Sequence, residues 1–552
     1  MLGIISFIGF TLIVAIVSWS ATRKTNEETS DGYFLGGRSL TAGVIAGSLL
    51  LTNLSTEQIV GLNGAAFSEG ILVMAWETLA AIAMVVTAVF LLPRYLKSGL
   101  ITIPQFLAER FDITTKTLTS SLFLTGYVVV LLPTILYSGS LAISGMFDVP
   151  TLLGVSKGTA LWLCVWAIGI IGSIYAVFGG LKAVAVSDAI NAIGLLIGGI
   201  LIPIFGLLAI GDGSVMEGIA VLNDKIPSHF DSIGGTTASV PFATIFTGMM
   251  LVQLFYWGTN QQIIQRALGA KNLQEGQKGL LLGAFIKILG PLIVVLPGVI
   301  AYYMSVNGSL SVGAPDEAYG QLVRKILPKE FIGFFAAVLF GAILSSFNSV
   351  LNSSVTLFGI DIYKEHINRE ADEKTVVKYG KIFGVILAIA AMIIAPFLSS
   401  LESIFTYLQQ VNGIYSIPIL TIIFVGFVTK KVPAIAAKIG LLTGSILYII
   451  SEFVLRPNFV TKALTNAKVS GVANPEELEL VTAGAYPHFL HIMAILFVLN
   501  TIIMLIIGKL YPKKVAYEQK ESKQVDITPW RYTKPVGVFI CIIVIAIYIY
   551  FS

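Results

Sequence analysis

The stretch LLLTNLSTEQIVGLNGAA, residues 49–66, decides the fold, because it sets Thr52, Asn53, Ser55, Thr56, Glu57 and Gln58 between runs of leucine, isoleucine and valine. Thr, Asn and Ser are poor helix formers whose side chains compete for backbone hydrogen bonds, and Gly61 and Gly64 follow closely. A helix interrupted here frees carbonyls at mid-membrane, where they are tolerated only if they line a cavity or hold a cation.

Composition places the stretch in a membrane. The 552 residues are 56% hydrophobic and 12% charged, with a mean hydropathy of +0.86, whereas soluble domains carry about a quarter charged residues. A net charge of +4 argues against a nucleic-acid partner. Cys164 and Cys541 both fall in apolar runs, which suits buried small hydrophobes and neither a disulfide framework nor a metal site. The first apolar run leads into a polar, charged loop rather than a small-residue cleavage site, so it reads as a retained helix.

A bilayer crossing needs about 20 apolar residues, and fourteen such runs occur, at 4–20, 41–63, 71–93, 119–147, 157–178, 186–210, 241–265, 279–305, 331–362, 379–398, 402–428, 433–455, 487–508 and 535–551. The loops at 21–40, 94–118, 179–187, 266–278, 363–381, 429–438 and 509–534 hold 26 of the 35 Lys and Arg, the opposite loops hold eight, and Lys287 remains within a run. By the positive-inside rule the rich side is cytoplasmic, which puts both termini outside a multi-pass protein of the cell membrane. No loop is long enough to fold alone, so function is expected among the helices.

Polar groups inside a membrane are costly and usually face a cavity or mark a pathway. The informative ones are Glu57 and Gln58; Glu77 in MAWETLA; Asp188 in AVSDAIN; Gln253, Asn260, Gln261 and Gln262 in LVQLFYWGTNQQIIQR; Lys287 in AFIKILGPL; Ser345, Ser346, Asn348 and Ser349 in GAILSSFNSVLNSS; and Gln409 and Gln410 in FTYLQQVNG. One such residue reads as interhelical glue worth about 1 kcal/mol. So many together read as a solute pathway. A second polar interruption, GMMLVQLFYWGTNQQ, lies five helices after the first. If helices two to six form one repeat and seven to eleven its copy, both interruptions open a repeat, and an odd-numbered repeat must invert.

These residues resemble the solute:sodium symporters, in particular their sugar-carrying sodium/galactose and sodium/glucose type. The resemblance runs through DGYFLGGRSL, NLSTEQIVGLNGAAFSEG, ITIPQFLAERF, YAVFGGLKAVAVSDAI, FYWGTNQQIIQRALGAKN, VVLPGVIAYY, LSSFNSVLNSSVTLFGIDIYKE and YLQQVNGIYSIPIL. It implies an all-α membrane protein of about 14 transmembrane helices in the leucine-transporter fold. Residues 1–40 are then an extra helix and cytoplasmic loop, 41–210 and 241–428 the two inverted five-helix repeats, and 429–552 accessory helices.

The resemblance also implies a site. Sodium would be held at Leu51, Leu54, Ala342, Ser345 and Ser346, with Asp188 on its exit route and Asn348 and Ser349 near a second ion place that some relatives use. Asn53, Gln58, Glu77, Gln253, Lys287 and Gln409 would contact the sugar. Leu62, Trp76 and Phe405 would form the outer gate, and Tyr256 would cap the sugar on the cytoplasmic side. Ala80, Trp76 and Gln253 depart from the family's galactose pattern, so the expected solute is a hexose such as galactose or glucose, or a related polyol, carried with Na⁺ by alternating access. The alternative is an anionic solute (sialic acid, hexuronate or sulfosugar) paired to Lys287. No HExxH, GxSxG or CxxC occurs, and the four histidines fall at loops or helix ends, so neither enzyme nor metal-centre chemistry is expected. The partners implied are sodium, the solute and the bilayer. Glu57 has no assigned role; it should face a neighbouring helix or an aqueous vestibule. The sequence leaves sodium stoichiometry and oligomeric state open.

Overall fold

The computed structural model describes residues 29–400 and 404–552, with scattered positions between 9 and 20, so most of the run expected at 4–20 lies outside the described residues. All regular structure among the described residues is helical, apart from one isolated bridge between Leu40 and Ala270.

The run expected at 41–63 is two helices, α1 (Ala42–Asn53) and α2 (Thr56–Glu69), separated at Leu54 and Ser55. The chain then turns at Gly70, whose φ of +78° and contact with the His229 backbone leave no room for a side chain. It returns as α3 (Ala75–Val86), continued helically to Ser98. The next crossing comprises α4 (Ile113–Gly126), whose N-cap Asp112 accepts from Thr115 N at 2.8 Å, and α5 (Leu132–Phe147).

Helix α6 (Lys157–Ile210) is assigned without interruption. Its 54 residues exceed one crossing, and the two candidate spans within it are Lys157–Ile174 and Leu181–Ile210, so the segment expected as a loop at 179–187 is helical and lies at their join.

The second interruption is also a break. Helix α7 (Met250–Gly258) and α8 (Gln261–Leu268) meet at Thr259 and Asn260, and the span they form is bent by 47°. A further break, not anticipated, separates α9 (Leu273–Ile288) from α10 (Leu296–Val306) around Gly290 and Pro291, with a bend of 49°. There follow α11 (Lys329–Thr356), α12 (Glu373–Ile394), α13 (Ile404–Val428), α14 (Ala434–Ile449), α15 (Phe489–Leu510) and α16 (Thr533–Tyr550).

Among the described residues, ten helices are long and apolar enough to cross a membrane, or twelve with the two bent pairs. One of the ten, Thr56–Ser98, has 43 residues and contains the turn at Gly70, so it is α2 and α3 rather than one crossing. The fourteen-run count therefore differs by how the first helices are joined, and by the run outside the described residues.

Helix α1 is enclosed by α6, α9 and α11. At Gly47 a Cβ would come within 2.8 Å of the Ala189 backbone, so α1 and α6 touch main chain to main chain. By contrast, Ile382, Ile386, Ile389 and Ile393 on α12, and Val538, Ile542, Ile545 and Ile549 on α16, are exposed stripes at helical spacing that suit contact with lipid.

Three cations assigned to loops by sequence, Arg110, Lys116 and Arg266, are in fact buried. Arg110 donates to the carbonyls of Gly426, Thr429 and Val432 at 2.9, 3.0 and 3.1 Å, capping the end of α13. Lys116 bonds Glu365 at 2.7 Å and lies 3.5 Å from Asp361. Arg110 and Lys116 are thus structural charges, whatever their weight in a topology count.

Candidate functional site

The break between α1 and α2 organises the site. Of the carbonyls it frees, that of Thr52 accepts from Ser346 Oγ at 3.2 Å and that of Asn53 from Ser55 Oγ at 3.4 Å. Those of Leu51 and Leu54 accept none of the hydrogen bonds formed at the break. Across from them on α11 stand Ala342, Ser345 and Ser346, all buried, with Ser345 Oγ against Asp188 and making no well-formed hydrogen bond. Carbonyl and hydroxyl oxygens are hard ligands of the kind that replace the hydration of a small cation. No group of three His, Cys, Asp or Glu suited to a metal occurs among the described residues.

One helical turn further along α11, Ser349 Oγ lies 3.1 Å from Thr52 Oγ1, while both amide atoms of Asn348 are buried without a hydrogen-bond partner. Asp188, 1% exposed on α6, accepts from Ser48 Oγ at 2.6 Å and has Arg266 Nη2 at 3.9 Å. Nothing in the sequence singled out Arg266. Its burial follows from the approach of α8 to α1 and α11, which loop-like polarity in its neighbours conceals.

A second group centres on Lys287, in the last turn of α9 before its break. Its ammonium is bonded to Asn53 Oδ1 and Glu77 Oε2 and lies 5.7 Å from the Trp257 ring centroid. Lys287 and Glu77 are each 1% exposed. Gly290 backs the pair, since a Cβ there would run into the Glu77 carboxylate. Gln253 Nε2 donates to the Trp76 carbonyl at 2.9 Å, next to Glu77 in sequence.

Tyr256 stands beside Asn53 and Glu57, and Gln262 Nε2 approaches its hydroxyl at 3.5 Å. The Gln58 Oε1, Gln262 Oε1 and Glu57 Oε2 atoms are buried and unpaired. Glu57 is thus turned toward a neighbouring helix rather than a vestibule. Gln409 differs from the other predicted contacts: it lines a cavity of about 390 Å³, shared with Trp76 and Phe405, and makes no bond to the Lys287 group.

Between that cavity and the Lys287 group lie the expected gate residues. Trp76 and Phe405 meet edge to face with centroids 5.3 Å apart, and Leu62 packs in the same apolar cluster. Phe405 presses on α2 at Gly61, where a Cβ would come within 2.8 Å of the Phe405 Cβ. On the opposite side, α8 is fastened by Gln265, which donates to Phe34 O at 2.8 Å and Thr356 Oγ1 at 3.0 Å. Asn260 caps α8 through Gln262 N at 3.3 Å and accepts from the Tyr127 hydroxyl. The Lys287 and Glu77 side chains are correspondingly shielded from solvent.

Helices broken in corresponding positions, with a buried cluster of polar and charged side chains at the break, are the features of a secondary transporter of the leucine-transporter architecture. The family model described as "Sodium:solute symporter family" matches residues 33–444. A relative described as "Uncharacterized symporter YidK" from Escherichia coli (strain K12) is 43% identical over 548 residues, covering 99% of this chain and 90% of the relative. The "Sodium/glucose cotransporter" of Vibrio parahaemolyticus is 33% identical over 464 residues, covering 80% of this chain and 83% of that protein. Among solved structures, a Na⁺-coupled sialic acid symporter in a substrate-bound outward-open state aligns with a TM-score of 0.71 at 17% identity, covering 94% of this chain and 99% of the other, and so shares the fold. The chain belongs to the sodium:solute symporter family. It is a multi-pass membrane transporter and not an enzyme.

Proposed function

We propose that this protein uses the inward movement of Na⁺ to accumulate an uncharged, polyhydroxylated solute, a hexose such as galactose or glucose or a related polyol. The observation that carries the reading is the engagement of Lys287 by Glu77 and Asn53. With its cation neutralised inside the site, the surrounding side chains offer amides, a phenol and unpaired acceptor oxygens rather than a spare positive charge. Hydroxyl groups, each donor and acceptor, match that lining, and a site built on hydrogen bonds rejects analogues that strand a buried partner. The sodium/glucose cotransporter among the relatives supports the same class.

On this reading Na⁺ binds the carbonyls of Leu51 and Leu54 and the Ala342, Ser345 and Ser346 turn of α11. The ion fixes the α1–α2 break, and with it Asn53 and Gln58, in the geometry that receives solute. Glu77, Gln253 and Lys287 supply further contacts, with Gln409 joining from the outer side. Leu62, Trp76 and Phe405 then close above, Tyr256 yields below, and Na⁺ leaves past Asp188. Each ligand biases the states only by its differential affinity, and the coupling is reciprocal. With the Lys- and Arg-rich face cytoplasmic, a membrane potential adds about 2.3 kcal/mol per charge per 100 mV to uptake.

The test is uptake into proteoliposomes under an inward Na⁺ gradient, with K⁺ as control, against hexoses, polyols, hexuronates, sialic acid and sulfosugars. Sodium-dependent uptake of a neutral sugar or polyol is expected. Uptake confined to the anionic solutes would replace the neutral-solute reading, and no sodium dependence for any solute would overturn symport.

A further inference from the structure

Arg266 is fully buried, and every one of its polar contacts lies on an element that meets at the candidate sodium path. Its Nε donates to Ser48 Oγ on α1 at 3.1 Å; Nη2 bonds Ser349 Oγ on α11 and lies 3.9 Å from Asp188 Oδ2 on α6; Nη1 bonds the Gln262 carbonyl of its own helix. Ser48 in turn donates to the same Asp188 oxygen at 2.6 Å.

Asp188, Ser349 and the unpartnered Asn348 side chain are oxygen ligands of a kind that suits Na⁺, and a cavity of about 230 Å³ opens onto Asp188, Ser345 and Asn348. A carboxylate so enclosed requires a compensating charge. Among the described residues its one ion pair is with Arg266. Guanidinium does not deprotonate in proteins and, with its fork of donors bonded to acceptors on three elements, is not easily displaced. A metal ion arriving at Asp188 would meet that fixed like charge at close range.

We infer that the Arg266 guanidinium is a built-in cation occupying the position beside Asp188 and Ser349, so that the transporter binds one Na⁺ and not two. The inference rests on the sodium-symport reading above. It makes α8, the helix on the Tyr256 side of the site, the carrier of the internal charge, and leaves the Leu51, Leu54 and Ser346 set as the exchangeable place.

The experiment is equilibrium binding of ²²Na⁺ alone to the full-length purified protein, with bound ions counted per chain at saturation. The native protein should bind one. Arg266→Gln, which keeps polarity and removes charge, should bind two, and Arg266→Gln with Asp188→Asn should return to one. Arg266→Lys should remain at one. Two ions bound by the native protein, or one by a folded Arg266→Gln, would overturn the inference. If Arg266→Gln does not fold, the native count decides together with Arg266→Ala measured with and without added guanidinium, which should lower the count from two to one. No sodium bound to the native protein would instead refute the symport reading on which the inference rests.

Discussion

Glu77→Gln is the most informative perturbation of the central group. The Lys287 ammonium and Glu77 carboxylate are both 1% exposed, and Lys287 retains only Asn53 as a hydrogen-bond partner once the carboxylate charge is removed. Breaking a buried ion pair from one side costs about 3–5 kcal/mol, chiefly because the remaining charge is stranded. Two unit charges about 4 Å apart at an effective dielectric near 20 interact by about 4 kcal/mol, which agrees with that range. Lys287→Met should cost a similar amount. The double variant Glu77→Gln, Lys287→Met should be far less destabilised than the sum, because neither charge is then left alone. Unfolding in mixed micelles, followed by intrinsic tryptophan fluorescence, measures all four corners of the cycle. The same Glu77→Gln change leaves the site with a net positive charge, so it should lose affinity for the native solute and gain at least about tenfold, or 1.4 kcal/mol, for a hexuronate. Additive single effects, or a Glu77→Gln protein as stable as the native one, would refute the reasoning that Lys287 is neutralised by Glu77.

Four further outcomes are expected. Trp76→Ala removes the edge-to-face contact with Phe405, worth about 0.5–1.5 kcal/mol beyond area, and should speed solute release by roughly tenfold in washout from proteoliposomes while leaving sodium binding unchanged. Ser345→Ala, by contrast, should raise the sodium concentration for half-maximal binding by tenfold or more with little effect on stability; an unchanged sodium titration would remove Ser345 from the ion site. Gly61→Val places a branched side chain against Phe405, where even a Cβ lies within 2.8 Å of its neighbour, and should hold the outer approach open, seen as faster labelling of a cysteine introduced at Gln409. In the loop beside that approach, burial pushes the Asp316 carboxyl up to about 6 despite a hydrogen bond from Ile404 N at 3.5 Å. A carboxyl whose pKa is raised by closure binds more protons when closed, so closure is favoured as pH falls from about 7 toward 4 and weakened as pH rises through about 6. Asp316→Asn should remove that dependence from the labelling rate.

Legibility in the sequence followed local chemistry. Thr52, Asn53, Ser55 and Thr56 in an apolar run, and Gly258, Thr259 and Asn260 in another, carry their own reason to break, and the helices break there. The association of Lys287 with Glu77 was also foreseeable, because an uncompensated lysine inside a membrane is costly enough to demand a partner. The bend after Ile288 was not read, although Gly290 and Pro291 were visible, because a proline near a helix end is compatible with an unbroken crossing. The two runs on either side of 179–187 are both candidate crossings, but their join is helical rather than a loop, because small and apolar residues let the helix continue. Arg266 escaped for a different reason: a charge near a run's end looks solvated, and only the convergence of α1, α6 and α11 reveals that it is enclosed.

The placement of both ligand groups on one two-residue break explains how they would be coupled without any long path. Leu51 and Leu54 offer carbonyls while Asn53, between them, turns its side chain to Lys287, and Thr52 is held to α11 through Ser346 and Ser349. An ion drawing the Leu51 and Leu54 oxygens toward α11 would constrain the backbone on both sides of Asn53, and with it the direction of that side chain. The same segment leads within two turns to Gly61, against which Phe405 closes. On the proposed reading, ion, solute and gate would all act on a stretch of about a dozen residues. A substitution that makes this stretch continuously helical, such as Asn53→Leu with Ser55→Ala, should therefore abolish sodium and solute binding together rather than either one. Loss of only one would mean that the break is not what joins them.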